Sequence, residues 1–351
     1  MPSAGRGEVD YYFHFLTFAA PNFFYMNKIK STVLTVFCLL FTGTVFSQPR
    51  NGMTSGEIQQ AMRKLGTVGS VLYVAAHPDD ENTRLLSYLA NERNLRTVYL
   101  SITRGDGGQN LIGKEQGEEL GMIRTRELLE ARKVDGAEQF FTKANDFGFS
   151  KNPEESFNIW DKEVVLADVV YTIRKFRPDV IINRFPTTGE GGHGHHTASA
   201  ILAVEAFRAA ADPLRFPEQL KTVSIWQARR IFHNSFIPRG QPQKDMSSHL
   251  KLDVSAYNPL LGISYGEMAA ASRSMHKSQG FGVASSRGTS IEYFNKLDGD
   301  TNVTDIFEGI DTGWNRIKNS GNLSALIKKT EEEFDAAHPE KSVASLLEIL
   351  K

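Results

Sequence analysis

The chain has 351 residues, of which 40% are hydrophobic, 23% are charged and 10% are aromatic. This ordinary globular composition excludes wholesale disorder, collagen-like repetition and a polytopic membrane protein. The 40 basic and 41 acidic residues give a formal net charge of −1, which is unlike the basic footprint of a nucleic-acid binder. Because Cys38 is the only cysteine, a disulfide within the chain and a thiolate metal site are excluded, and metal ligands must be His, Asp or Glu.

The first 47 residues carry the pattern of an export signal. Met26 is followed by two lysines, an apolar stretch of about 15 residues and small residues before position 48. The stretch is too short and too interrupted for a membrane span. We therefore expect residues 1–25 to be an over-extended start and residues 26–47 to be a signal peptide. The mature protein is expected to be exported, periplasmic or extracellular in a bacterium, with no stable membrane span.

Short apolar runs alternate with helical patterns along the following chain. The runs that are typical of strands buried on both faces are 70–76, 97–102, 179–183 and 230–233. The segments with helical periodicity are 55–65, 115–136, 163–176 and 197–211. This alternation predicts an α/β fold with a Rossmann-like, mostly parallel sheet and helices on both faces. In such sheets ligands bind at the carboxyl ends of the strands.

The composition of the sequence changes near residue 284. Residues 285–304 are rich in Gly, Ser, Asn and Asp, and helical patterns follow at 322–337 and 343–350. The second of these is apolar and lacks a cap, which suggests a C-terminally truncated longer form. We therefore predict one domain over 48–283 and, over 284–351, an extension or the start of a further region.

A cluster of polar residues ends the first strand. Pro78 and the three acids Asp79, Asp80 and Glu81 suit the first turn of a helix, but that reading does not explain His77 beside them. A helical first turn would place His77 and Asp80, three residues apart, on one face. There an imidazole and a carboxylate can hold one cation.

A second cluster contains three of the nine histidines, His193, His195 and His196. It follows the strand at 179–183 and opens a helix, so it reaches the same edge of the sheet as the first cluster. Alone it could be a flexible polar loop, but two such clusters together favour a metal site. Two histidines and an aspartate leave a fourth position open, the pattern of catalytic zinc. His195 and His196 both remain candidate ligands, and the three-residue spacing from His193 weakly favours His196.

The second strand ends in a glycine-rich turn at 103–108. The turn alone needs no function, but its place beside the first cluster makes Arg104 and Asp106 candidate substrate contacts. No P-loop and no G-x-G-x-x-G follows a strand, so the sequence gives no support for a nucleotide as a partner.

These segments resemble the PIG-L / LmbE-like de-N-acetylase family. The hexapeptide at 76–81 matches the family's A-H-P-D-D-E motif without change, and the second motif, H-x-x-H, matches His193 and His196. Weaker matches lie at 103–105, at Arg124 with Glu127, and at 276–279. The resemblance covers roughly residues 68–283.

The resemblance implies a hydrolase that removes the acetyl group from an N-acetylglucosamine-type amino sugar or glycoconjugate. It implies one zinc ion per chain, held by His77, Asp80 and His196. Asp79 would be the general base, and His193 would stabilise the oxyanion of the transition state. An Asp79 that is not a ligand suits this role, because a carboxylate beside the metal can accept a proton from water and pass it to the leaving amine.

The remaining matches imply residues that support the ligands without touching the metal, namely Glu81, His195, Arg124 and Glu127. Many family members carry an acid in place of His195, and that acid orients the first histidine of the motif. We expect His195 to point away from the metal, towards solvent or towards His193. Two other functions stay open, a zinc amidase for a larger acyl group and a non-catalytic carbohydrate-binding protein. The intact Asp79 argues against the second.

Overall fold

The computed structural model describes residues 52–236, 245–280, 282–300 and 303–351. The predicted start at 1–25, the signal peptide at 26–47 and Cys38 lie outside the described residues. The described residues from Thr54 onward form one compact unit. None of the helices among them combines the length and the apolar character needed to cross a membrane.

Nine strands and nine α-helices lie in the described residues. The strands are β1 (Ser70–Ala75), β2 (Arg96–Ser101), β3 (Glu138–Phe141), β4 (Val180–Asn183), β5 (Arg230–Ser235), β6 (Leu250–Asp253), β7 (Tyr257–Asn258), β8 (Ile263–Ser264) and β9 (Ile291–Gly299). The α-helices are α1 (Ser55–Leu65), α2 (Thr83–Asn91), α3 (Glu118–Asp135), α4 (Pro153–Trp160), α5 (Lys162–Phe176), α6 (Gly194–Ala209), α7 (Tyr265–Arg273), α8 (Leu323–Glu332) and α9 (Val343–Leu350).

Seven strands form the central sheet in the order β3-β2-β1-β4-β5-β9-β6. The five from β3 to β5 are parallel, whereas β9 runs antiparallel to both β5 and β6. The predicted α/β fold with a mostly parallel sheet is therefore confirmed. β1 lies between β2 and β4, so the segments that follow these three strands meet at one edge of the sheet.

Alternate side chains of β1 enter two apolar cores, one on each face of the sheet. Leu72 and Val74 pack with residues of α4, α5 and α6, whereas Val71 and Tyr73 pack with residues of α2 and α3. All six residues of β1 are buried. Because helices cover both faces, the strand is a continuous apolar run in the sequence.

Several elements differ from the sequence-based prediction. The edge strand β3 was not predicted, because its residues are half-buried or exposed and give no apolar run. Helices α4 and α7 and strands β6 and β9 were also missed. Polar residues dominate β9, which reads as a loop, although it pairs along its length inside the sheet. The predicted domain end at 283 thus falls before a strand of the central sheet.

The last described segment also contacts the amino end of the sheet. Arg316 donates two hydrogen bonds, of 2.7 and 2.6 Å, to the carboxylate of Asp179 just before β4. Arg63 of α1 forms a 2.9 Å ion pair with Glu331 of α8. Residues beyond 303 therefore support the end of the sheet opposite the predicted ligand site.

Candidate metal centre

The first cluster forms an irregular loop between β1 and α2. The prediction of a helical first turn at Pro78 is wrong, because α2 begins only at Thr83, where Asn82 caps it by accepting a 3.1 Å hydrogen bond from the Leu85 N–H. Asp79 adopts a φ of 91°, a left-handed conformation that a helix cannot contain. His77 and Asp80 nevertheless meet. The Asp80 Oδ2 atom accepts a 2.7 Å bond from the His77 backbone N–H and lies 3.0 Å from His77 Nδ1.

The second cluster lies at the start of α6. The helix begins at Gly194, three residues before its predicted start, so that His196 belongs to its first turn and His193 is its N-cap. His196 Nδ1 lies 2.9 Å from the carbonyl oxygen of Gly191, and the ring stacks on Phe185 at a centroid distance of 3.8 Å. Since Nδ1 must carry the hydrogen to donate to that carbonyl, Nε2 keeps its lone pair. Nε2 lies 3.5 Å from Asp80 Oδ1.

These three side chains present a set of donors to one point. His77, Asp80 and His196 each offer a ligand atom, and these atoms lie within 4.8 Å of one another. Two imidazoles and one carboxylate match the donor set of a zinc site that keeps a position open. The hydrogen bond from His196 to a carbonyl is the kind of outer contact that fixes a metal-binding tautomer. The residues present therefore fit a zinc ion.

A cavity of about 940 Å³ opens beside this set. Asp79, Asp80 and His196 contribute to its wall, together with the aromatic residues Phe185 and Tyr293. Its size lies within the range of small-molecule sites.

Asp79 points into this cavity and is held by two guanidinium groups. Arg124 of α3 donates a 2.9 Å hydrogen bond to Asp79 Oδ1. Arg273 of α7 donates to the backbone oxygen of Asp79 and lies 3.5 Å from Oδ2. Burial and the neighbouring Asp80 raise the pKa of Asp79, and the two arginines oppose that rise. The carboxylate is thus oriented without taking part in the donor set.

Glu81 points the opposite way, into the protein. Its carboxylate accepts a 3.1 Å hydrogen bond from Arg132 and lies 2.8 Å from His276 Nε2. Although burial opposes ionisation, His276 and Arg132 hold the pKa of Glu81 well below its usual range. Glu127 accepts bonds of 2.6 Å from the backbone N–H and the hydroxyl of Ser278. Glu81 therefore attaches the loop to the segment after α7, and Glu127 attaches α3 to the same segment.

His193 is oriented by the backbone of its neighbour. The His195 backbone N–H donates a 3.0 Å hydrogen bond to His193 Nδ1, so the ring hydrogen of a neutral His193 resides on Nε2. Burial and the adjacent His77 and His196 lower the pKa of His193 to about 4. A neutral His193 can therefore donate from Nε2 at neutral pH.

The comparisons with known proteins point to one family. A family model described as GlcNAc-PI de-N-acetylase, PIG-L, matches residues 72–207, within the predicted span of 68–283. The match includes most of β1, both clusters of polar residues and most of α6. The resemblance drawn from the sequence is thereby confirmed.

Among the relatives is a mycothiol S-conjugate amidase of Streptomyces coelicolor, 27% identical over 202 residues, which are 54% of this chain and 68% of that protein. A 1D-myo-inositol 2-acetamido-2-deoxy-alpha-D-glucopyranoside deacetylase 2 of Frankia casuarinae is 28% identical over 183 residues, 47% of this chain and 57% of that protein. Of the solved structures, an N,N'-diacetylchitobiose deacetylase from Pyrococcus horikoshii is 18% identical and covers 60% of this chain and 70% of its own, with a TM-score of 0.44.

The structure places His195 differently from the prediction. Its side chain is fully buried, so the expectation that it points to solvent is wrong. The cause is the early start of α6, which turns the ring inward against Trp160 at a centroid distance of 4.4 Å. Its side chain also makes no hydrogen bond to His193, since the backbone N–H makes that contact.

Arg104 and Asp106 are not brought to the cavity. Arg104 lies over the Phe141 ring, 4.2 Å from its centroid, and donates a 3.2 Å hydrogen bond to Thr125. Asp106 lies against Gly121 of α3. A Cβ atom added to Gly121 would lie 2.0 Å from Asp106 Oδ1. Both line a separate depression on α3, so their placement lends no support to a substrate contact.

Two residues that contact the first cluster were missed by sequence reasoning. Asp146, in the loop after β3, is buried and lies 3.7 Å from His77 Nε2. Arg273 ends α7 and reaches Asp79. For Arg273, its position three residues before His276 in the weak late motif is a signal that could have found it. Asp146 carried no such signal.

Proposed function

We propose that this protein is a zinc-dependent hydrolase that removes the N-acetyl group from an amino sugar of the N-acetylglucosamine type. The observation that carries the proposal is a carboxylate outside the donor set, Asp79, on the wall of an open cavity beside His77, Asp80 and His196. A protein that only binds carbohydrate would not need it. The names of the relatives, an amidase and a deacetylase of an acetamido sugar, support amide hydrolysis.

One zinc ion per chain would be held by His77, Asp80 and His196. When bound, zinc acts as a Lewis acid and lowers the pKa of a water molecule to about 7. The carboxylate of Asp80 would supply the anionic donor. His77 Nδ1 and His196 Nε2 supply the neutral donors.

Asp79 takes the role of general base. Its side chain is 22% exposed, so water and substrate can reach it, while Arg124 fixes the direction of its carboxylate. Asp79 accepts a proton as water adds to the acetamide carbonyl carbon, and it returns that proton to the nitrogen as the C–N bond breaks. The products are acetate and the free amine.

His193 takes the role of oxyanion donor. Its Nδ1 is occupied by the His195 backbone N–H, which leaves a hydrogen on Nε2 for the developing negative charge. In this proposal the neutral imidazole of His193 donates the hydrogen bond to the oxyanion. Such a donor contributes about 3 to 4 kcal/mol to transition-state stabilisation.

We also propose that the chain is exported and processed near Gln48. The proposal rests on the basic start, apolar stretch and small residues at 26–47. Sequencing the amino terminus of exported material should find a start near Gln48. Finding residues 1–25 on that material would contradict both the start-site interpretation and the signal peptide.

The activity is tested by incubating zinc-loaded protein with N-acetylated sugars and glycan fragments and measuring released acetate. Asp79→Asn should bind zinc as the wild type does and lower kcat by about 10² to 10⁴-fold, the usual contribution of a general base. Matched substrates with longer acyl chains test the alternative amidase. Near-normal turnover by Asp79→Asn would rule out the general-base role, and faster release of a longer acyl group would favour the amidase.

A further inference from the structure

The two ring nitrogens of His77 face different neighbours. Nδ1 lies 3.0 Å from Asp80 Oδ2, on the side of the donor set, whereas Nε2 lies 3.1 Å from Nδ1 of His195. A neutral imidazole has one lone pair and one hydrogen. If Nδ1 offers its lone pair to zinc, Nε2 must carry the hydrogen, and His195 Nδ1 is the atom placed to accept it.

The surroundings of His195 fix its ring for this contact. The side chain is fully buried between Trp160 and Phe147, with ring centroid distances of 4.4 and 4.5 Å. When Nδ1 accepts a hydrogen bond, a neutral ring carries its own hydrogen on Nε2. That Nε2 atom is buried and has no hydrogen-bond partner in the part of the chain that the structure describes. Within the described residues, the His195 ring therefore makes its hydrogen bond through Nδ1.

The carboxylate that faces His77 Nε2 and His195 Nδ1 does not replace His195 as the acceptor. Asp146 lies 3.7 Å from His77 Nε2 and 3.8 Å from His195 Nδ1, both beyond hydrogen-bond distance. One of its oxygens instead accepts a 2.9 Å bond from the Gly148 N–H. Asp146 thus faces both rings with its charge, while the hydrogen bond joins the rings themselves.

We propose that the side chain of His195 is a positioning residue for the metal ligand His77. It accepts the Nε2 hydrogen of His77 and so holds the tautomer in which Nδ1 faces the donor set. Metal-binding histidines normally donate their second nitrogen to an oxygen acceptor, and here an imidazole nitrogen serves instead. The backbone N–H of His195 orients His193, which leaves its side chain available for His77. The inference rests on the zinc-binding part of the proposed function.

Two variants separate the hydrogen bond from packing. His195→Asn keeps an acceptor oxygen at the position of Nδ1 but removes most of the ring, whereas His195→Leu fills the space without an acceptor. Zinc affinity is measured by competition with a chelator, and thermal unfolding of the metal-free proteins checks that both variants fold. We expect His195→Leu to bind zinc about 10- to 100-fold more weakly, the usual cost of losing an outer partner, and His195→Asn to stay within a few-fold of wild type.

A second readout follows the tautomer directly. The ¹⁵N chemical shifts of His77 in zinc-loaded protein should show a hydrogen on Nε2 in the wild type and in His195→Asn. In His195→Leu the shifts should lose the signature of a hydrogen-bonded Nε2–H.

Three results would overturn the inference. They are unchanged zinc affinity in His195→Leu, equal losses in both variants, and two zinc ions in the wild type against one in His195→Leu, which would make His195 itself a ligand. A wild type that takes up no zinc would instead refute the proposed function, and this inference with it.

Discussion

The two clusters of polar residues reach the same centre through different kinds of local structure. The cluster at 193–196 is organised by its own helix, since His193 is the N-cap of α6 and His196 lies in the first turn. The loop at 76–82 has no regular structure, and Asp79 within it has a left-handed backbone. The backbone of the second cluster is therefore set by a helix, whereas the backbone of the first is set by a loop.

The partners of the first cluster come from distant parts of the chain. Asp79 is held by Arg124 of α3 and Arg273 of α7, and Glu81 by His276 beyond α7. The comparison teaches that the first cluster is the one exposed to remote mutations. Substitutions in α3 or after α7 should disturb it, whereas the second cluster should respond to changes within α6, in its cap and in the residues that its rings contact.

The largest effect should come from the ligands themselves, and it should be equal for the two clusters. His77→Ala, Asp80→Ala and His196→Ala should each lose most of the bound zinc, because a site with three protein ligands cannot spare one. Activity should fall by more than the roughly 100-fold that losing an outer partner costs. Metal analysis of purified protein measures the first effect and acetate release the second.

The exposed His338→Ala is the control for this series and should change neither quantity. If His195→Ala lost its zinc and His196→Ala kept it, His195 would be the zinc ligand and His196 would not.

The buried contacts of Glu81 should give the next largest effect, this time on stability. Removing one charge from a buried ion pair costs about 3 to 5 kcal/mol, and Glu81→Gln should fall at the lower end because Arg132 keeps its pair with Asp135. Because the pKa of Glu81 is held low in the folded state, its carboxylate stabilises the folded protein at pH values above the unfolded pKa of about 4.3. That stability is lost as the pH falls. The difference in the free energy of unfolding between the wild type and Glu81→Gln, measured with denaturant, should therefore be large at pH 7 and should decrease below about pH 4.

The matched control is Glu138→Gln, which breaks an exposed pair with Arg96. It should cost less than about 1 kcal/mol. Equal losses in the two variants would mean that the buried contacts of Glu81 do not hold the loop.

A smaller effect is expected from Arg273, which tests remote support of the first cluster. Arg273→Met removes the donor to the Asp79 backbone oxygen, so kcat should fall about 10- to 100-fold while zinc content stays unchanged. Arg273→Lys should recover part of the loss, because an ammonium can donate to that oxygen. If the methionine variant altered KM alone, Arg273 would be a substrate contact and not a support for Asp79.

The smallest effect is expected from Arg104. Arg104→Ala should change the free energy of unfolding by less than about 0.5 kcal/mol, the usual range for surface substitutions, and should leave kcat/KM nearly unchanged. The structure places this side chain on Phe141 and Thr125, away from the cavity. A clear rise in KM would restore the sequence-based prediction of a substrate contact.

The sequence was most informative where local pattern and tertiary role coincide. The apolar runs of β1, β2 and β4 are buried on both faces, so their composition alone revealed them. The meeting of the two clusters of polar residues followed from the rule for the carboxyl ends of parallel strands.

Features that depend on tertiary contacts could not be read in this way. The strand β9 carries Glu292, Lys296 and Asp298, and only its pairing with β5 and β6 makes it a strand. The inward turn of His195 depends on where α6 begins, which in turn depends on His193 acting as its cap. The spacing of His77 and Asp80 was interpreted as helical, although a loop brings the two together.

The position of β9 has a consequence for the order in which the sheet can be completed. β6 pairs with β9 and with no other strand in the described parts of the chain, although β6 is synthesised about forty residues earlier. Until β9 inserts, β5 presents an open edge of unpaired backbone groups, which is a template for aggregation. A recombinant fragment that stops at 283 should therefore be insoluble, and one that extends past Gly299 should be the shortest that closes the sheet.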